Sequence, residues 1–297
     1  MLVAARAIQG AGAVSAAVTA LLADLTRDGV RTRAMAMIGL SIGLTFSVSL
    51  VVAPMIADII GVPGLFMLTG ILTVISIGVV AWMTPAPEVS KLHEDTQAQP
   101  SRMGEVLRDR QLLNLDFGIF ALHAAQMALF TALPFAMTQL GLEKIQHWKV
   151  YLPSTIAGLV IMIPLIIIGE TRNKLKQVFI LGIACIAAAQ IGLLFGMHSI
   201  WLITAYLVVY FIGFNVLEAS LPSMVSKIAP ADLKGTAMGV YNTMQSVGLF
   251  VGGASGGWLF QQYGFAGVFT FCSVLMLLWL VIAVLAPAPK PVKNLSY

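Results

Sequence analysis

Residues 200–224 read IWLITAYLVVYFIGFNVLEASLPSM, twenty-five positions with a single charge, Glu218. About 20 mostly apolar residues, at about 1.5 Å each, cross the hydrocarbon core of a bilayer. A stretch of this length and composition predicts a membrane-spanning helix. Working outward with the same ruler gives nine such runs, at roughly 2–24, 34–60, 64–84, 113–139, 150–169, 178–197, 200–224, 236–262 and 265–286. None shows the alternation of a barrel strand, and only helices and closed barrels satisfy backbone groups in lipid. The whole-chain composition agrees. Of 297 residues, 59% are hydrophobic and only 10% charged, with a mean hydropathy of +0.92. Soluble domains carry about 25% charged residues, so the expected class is an all-α membrane protein.

The connections alternate in charge. Thr26–Arg33, Pro85–Leu112, Thr171–Gln177, Ser226–Gly235 and the tail after Pro287 are basic. The turns near Gly61–Pro63, Met197–Ser199 and Tyr263–Phe265 carry no Lys or Arg, and only Leu142–Lys149 on that side is charged. Of the 17 Lys and Arg, 14 fall on the first side, Lys144 and Lys149 on the other, and Arg6 within a span. The positive-inside rule puts the basic loops and the C-terminus in the cytoplasm. It also accounts for the +4 net charge without a nucleic-acid partner. Trp148, Trp201 and Trp258 fall near the outer interface, and Trp82 and Trp279 near the inner one, as an aromatic belt would have them.

A repeat numbers the spans. Ala34-Met35 returns as Ala237-Met238, Gly61 as Gly264, Gly64 as Gly267 and Phe66 as Phe269, always 203 residues on. Same-sense copies six helices apart are parallel repeats about an axis along the membrane normal. Two sixes make twelve, so the nine spans are expected to be helices 4–12, with about three more upstream. Residues 1–84 then close the first bundle (helices 4–6) and 85–112 form the central cytoplasmic loop. Residues 113–287 form the second bundle (helices 7–12), and 288–297 the tail.

Polar groups inside such spans cost at least roughly 2.5–3.5 kcal/mol when ionisable, so each asks for a reason. Arg6 and Gln9, His123 and Gln126, and Asn215 and Glu218 are i, i+3 pairs on every third span, expected helices 4, 7 and 10. One reading is a water-filled cavity in which these side chains form a proton and substrate pathway. The other is structural, with His123 and Glu218 bonded to neighbouring helices or to each other. Asp58 reads as an interfacial carboxylate, and Asp116 as a helix-start carboxylate complementing the dipole. Gly39, Gly43 and Pro54 punctuate one span, and Gly239, Gly248, Gly252, Gly253, Gly256 and Gly257 another, for close packing or for rocking of the halves. Cys185 and Cys272, isolated in apolar runs, read as small hydrophobes. No Walker, HExxH or nucleophile-elbow sequence is present, and no cofactor or enzymatic activity is expected.

Residues 6–13, RAIQGAGA, resemble the RxxQGxG(A) motif on helix 4 of drug:proton antiporters of the major facilitator superfamily. Gly39, Gly43 and Ala53-Pro54 resemble their helix 5 motif, with Ala53 where Gly is usual. Residues 20–46, 146–152, 174–179 and 234–248 resemble a bacterial member, and the similarity covers essentially the whole chain. The resemblance implies a monomeric major facilitator fold in a bacterial inner membrane, exchanging protons for a small molecule. Arg6 would polarise the cavity, with Gly10 and Gly12 as motif glycines. Asp24 would pair with an arginine of a cytoplasmic motif between helices 2 and 3. A transport-inactive fragment, an assembly protein and an uncoupled facilitator are the competing readings.

Overall fold

The computed structural model describes residues 28–84, 100–172, 174–230 and 233–286. They form helices and short turns, with no strand among the described residues. The chain divides into two compact units, Met1–Thr96 and Gln97–Tyr297. The first holds α1 (Asp28–Met83). The second holds the short α2 (Met103–Val106), then α3 (Arg110–Gln139), α4 (Trp148–Thr171), α5 (Leu175–Phe195), α6 (Ile200–Ile228) and α7 (Lys234–Leu285). Among the described residues, six helices are long and apolar enough to cross a membrane.

Two of them are too long to cross once. The 56 residues of α1 would stretch about 84 Å as one rod, against a hydrocarbon core of about 30 Å. Each long helix breaks at a glycine in the left-handed region, Gly61 (φ 71°) in α1 and Gly264 (φ 61°) in α7. Residues with a Cβ avoid that region, which is why the break falls on glycine. These are the two glycines that the 203-residue repeat aligns.

Contacts along α7 show what its break does. Gly248, Gly252 and Gly256 meet Phe120, Ala124 and Ala128 of α3 in ascending order, so this arm runs parallel to α3. Beyond the break the order inverts. The Cys272 Sγ lies 3.7 Å from the Ala125 carbonyl, and Trp279 lies over Gly118. The two arms are therefore an antiparallel hairpin clasping α3. A second cluster forms on α6. It runs parallel to α4, with Ser154 Oγ donating to Thr204 O at 3.5 Å and Gly158 against Phe211. It runs antiparallel to α5, with Gly182 against Gly213 and Gly192 against Tyr206. Helix α5 links the clusters, since Lys176 Nζ donates to Ala286 O (2.6 Å) and Phe179 meets Trp279 edge-on.

Two expectations are corrected. Trp279 is not an interfacial belt residue: it is 1% exposed, with Gly118 leaving the space its indole fills. Trp82 and Trp201, by contrast, are exposed. Asp116 does not start its helix. The N-cap is Asp109, whose Oδ1 accepts from Gln111 N (2.7 Å) and Leu112 N (3.2 Å). Asp116 lies almost two turns further in, buried, with Oδ2 lacking a hydrogen-bond partner.

Ile156, Val160, Ile163 and Ile167 on α4, and Val274, Leu278 and Val281 on α7, project outward from the second unit. Water rejects apolar surface arranged in such stripes, and lipid accepts it.

Candidate functional site

Within the second unit, three helices bring polar side chains to one point. On α3, His123 is buried, and its Nδ1 lies 3.2 Å from the carbonyl oxygen of Ile119 one turn earlier. A carbonyl only accepts, so Nδ1 carries the hydrogen and Nε2 of the neutral ring presents a lone pair. That lone pair accepts from Gln245 Nε2 of α7 at 2.8 Å. Glu218 of α6 places Oε2 3.8 Å from the same Nε2.

Glu218 has two aspects. Its side chain is 41% accessible, yet Oε2, the atom turned toward His123, is sealed and has no hydrogen-bond partner. The carboxyl thus lies at the rim of the helix cluster, one oxygen inside and the remainder reachable from outside. Aromatic rings wall the inner side. Phe214 stands at 6.0 Å and 62° to the imidazole, and Tyr210 stacks on Phe214 at 6.0 Å and 16°. Such walls keep the local dielectric low, which strengthens every charge interaction within them.

The structure brings His123 and Glu218 together, as one of the two readings of the sequence allows. Gln126 is buried about one turn beyond His123, and Asn215 lies one turn before Glu218 with Nδ2 buried and unpaired. No hydrogen bond among the described residues joins either of them to the pair. Arg6, Gln9, Gly10, Gly12 and Asp24 lie outside the described residues, while Gly39, Gly43 and Pro54 lie on α1 in the other unit. Gln245 is a site residue that the sequence reading passed over. The signal was there, because Asn242 and Gln245 repeat the i, i+3 polar spacing of the other three pairs. The glycines of that span drew the reading instead. Among the described residues no cluster of His, Cys, Asp and Glu could hold a metal ion.

The family model of the Major Facilitator Superfamily matches residues 1–253 and 175–296. The chain belongs to the Major Facilitator Superfamily. Two of the relatives it matches are named as transport proteins. It is 39% identical over 290 residues to the inner membrane transport protein YajR of Escherichia coli (strain K12), covering 98% of this chain. The chain spans 64% of the length of YajR. An uncharacterized transporter of Buchnera aphidicola subsp. Baizongia pistaciae is 27% identical over 94% of this chain and 72% of its own. The multidrug resistance protein MdtH of Cronobacter sakazakii is 25% identical, over 70% of this chain and 54% of its own.

Proposed function

We propose that this chain belongs to a proton-coupled secondary transporter of a bacterial inner membrane, exporting small amphipathic molecules by alternating access. The observation that carries the reading is the His123–Glu218 contact, a base and an acid 3.8 Å apart with the acid oxygen otherwise unpartnered. Together the two groups hold one proton readily. With the proton on either member, the pair is a neutral acid beside a neutral base, or an ion pair. Without it, Glu218 is a lone carboxylate beside neutral groups, which is costly in a low-dielectric setting. A second positive charge relieves that cost, and the accessible part of Glu218 is where a basic, amphipathic molecule can supply it. Proton and substrate then compete for one carboxylate, which is the thermodynamic requirement of exchange.

The remaining roles follow from the resemblance and from the relatives. Arg6 and Gln9 would complete the pathway with Gln126 and Asn215. Gly10, Gly12, Gly39, Gly43 and Pro54 would serve conformational change, and Asp24 would hold one state at the cytoplasmic end. The C-terminus would be cytoplasmic and the working unit a monomer. The inner-membrane placement rests on the similarity to the inner membrane transport protein YajR, and a drug-like substrate on the similarity to the multidrug resistance protein MdtH.

The test uses vesicles containing the full gene product, an imposed pH gradient, and ethidium as a fluorescent cationic probe. Glu218→Gln and His123→Ala are each expected to lower gradient-driven transport by about 100-fold, within the range for removing a proton-transfer group. Undiminished coupling in both variants would overturn the assignment.

A further inference from the structure

We propose that Gln245 is a positioning residue that reads the protonation state of His123 and transmits it to α7. This rests on the reading of His123 and Glu218 as the proton-carrying pair. The geometry makes the bonds from Gln245 and to Glu218 mutually exclusive. Nδ1 is committed to Ile119 O as a donor, so every change of proton occupancy on the ring happens at Nε2. With Nε2 bare, the Gln245 amide nitrogen donates to it at 2.8 Å and ties α7 to α3. With Nε2 protonated, that atom must donate, and an NH₂ group cannot accept. The amide then turns away or rotates to present Oε1, and the new N–H points to the unpartnered Oε2 of Glu218.

One proton therefore reverses the role of Nε2: the bond that Gln245 of α7 donates is lost, and an N–H faces the Glu218 carboxylate of α6. Helix α3 packs chiefly against α7 and next against α6, and the ion pair with Glu218 is the one His123 makes among the described residues. The glycine contacts that hold the first arm of α7 against α3 begin at Gly248, three residues after Gln245, so the exchange of partners falls at the N-terminal edge of that packed stripe. A two-state element biased by a proton is what coupling requires.

The experiment follows side-chain ¹⁵N resonances of His123 and Gln245 through a pH titration of the full gene product in lipid nanodiscs. It also measures proton-driven ethidium transport by Gln245→Met, which cannot donate to Nε2. The amide resonance of Gln245 is expected to shift with the midpoint at which His123 Nε2 takes up its proton. In Gln245→Met the ring still titrates, but the ratio of gradient-driven to gradient-free transport falls about fivefold, the scale of one hydrogen bond between neutral groups. Gln245→Asn, which keeps the amide, is expected to restore part of that ratio. A Gln245 resonance blind to the titration of His123, or unchanged coupling in Gln245→Met, would overturn this inference while leaving the proton pair standing. Undiminished coupling in Glu218→Gln and His123→Ala removes the pair itself. If Gln245→Met does not fold, the amide titration of the unmodified chain decides alone.

Discussion

Asp109 and Asp116, seven residues apart on one helix, show how much one carboxylate's environment depends on its position. Asp109 satisfies two of the backbone N–H groups that the start of α3 leaves without partners. Replacing Asp109 with Ala is expected to lower stability by about 1 kcal/mol, the usual value of an N-cap. Asp109→Asn should retain most of it. Thermal unfolding in mild detergent checks both, and equal loss in the two variants would deny the cap. Asp116 has no such role, and its buried Oδ2 lacks a partner. The sequence puts Asp116 too near the helix start because hydropathy marks where the apolar run begins, and α3 begins three residues earlier, at Arg110. Trp279 was misread for a related reason. An aromatic near the end of an apolar run looks interfacial until the glycine that receives it, Gly118, is known to lie opposite. His123 and Glu218 were legible as improbable polar groups. Their contact was not, because helix pairing across 95 residues leaves no mark in spacing.

At the scale of the element, the glycines of α7 divide by face. Gly248, Gly252 and Gly256, four residues apart, form a single stripe against the backbone of α3. A methyl group on Gly252 would collide with the carbonyl oxygen and Cα of Ala124. At Gly253, Gly257 and Gly239 the same methyl would meet nothing within 4 Å. Gly252→Ala is therefore expected to cost about 1–3 kcal/mol through overpacking. Gly253→Ala, which gains helix propensity in open space, should be neutral or stabilising by up to about 1 kcal/mol. Paired melting curves of the two variants separate the readings, and equal shifts would show that the stripe is not a packing surface. The sequence displayed the crowd of glycines, and helical periodicity could have sorted them. Which stripe meets a neighbour depends on the rotation of α7 about its axis, set by partners far along the chain.

At the scale of the molecule, the spans themselves were the most legible feature, because lipid leaves the backbone few alternatives. The long helices of the second unit begin and end within about four residues of the hydropathy boundaries. The repeat was legible too, since Gly61 and Gly264 both meet a demand only glycine answers cheaply. Orientation is carried by charge rather than by packing. Helix α5 has 21 residues, enough to place Lys174 and His198 on opposite faces of a bilayer. Lys174 belongs to a basic loop, and His198 to a turn without Lys or Arg. With 14 of 17 Lys and Arg in the loops assigned to the side of Lys174, the positive-inside rule is the ground on which that side is proposed as cytoplasmic. Both positions are exposed, and the native thiols are half-buried at Cys185 and buried at Cys272, so single new cysteines can be read against a low background. His198→Cys is expected to react with a membrane-impermeant maleimide in right-side-out vesicles, and Lys174→Cys only in inverted ones. The reverse pattern would invert the whole bundle and put the C-terminus outside. Labelling of both from one side would mean that α5 does not span, and the nine-span count would fall with it.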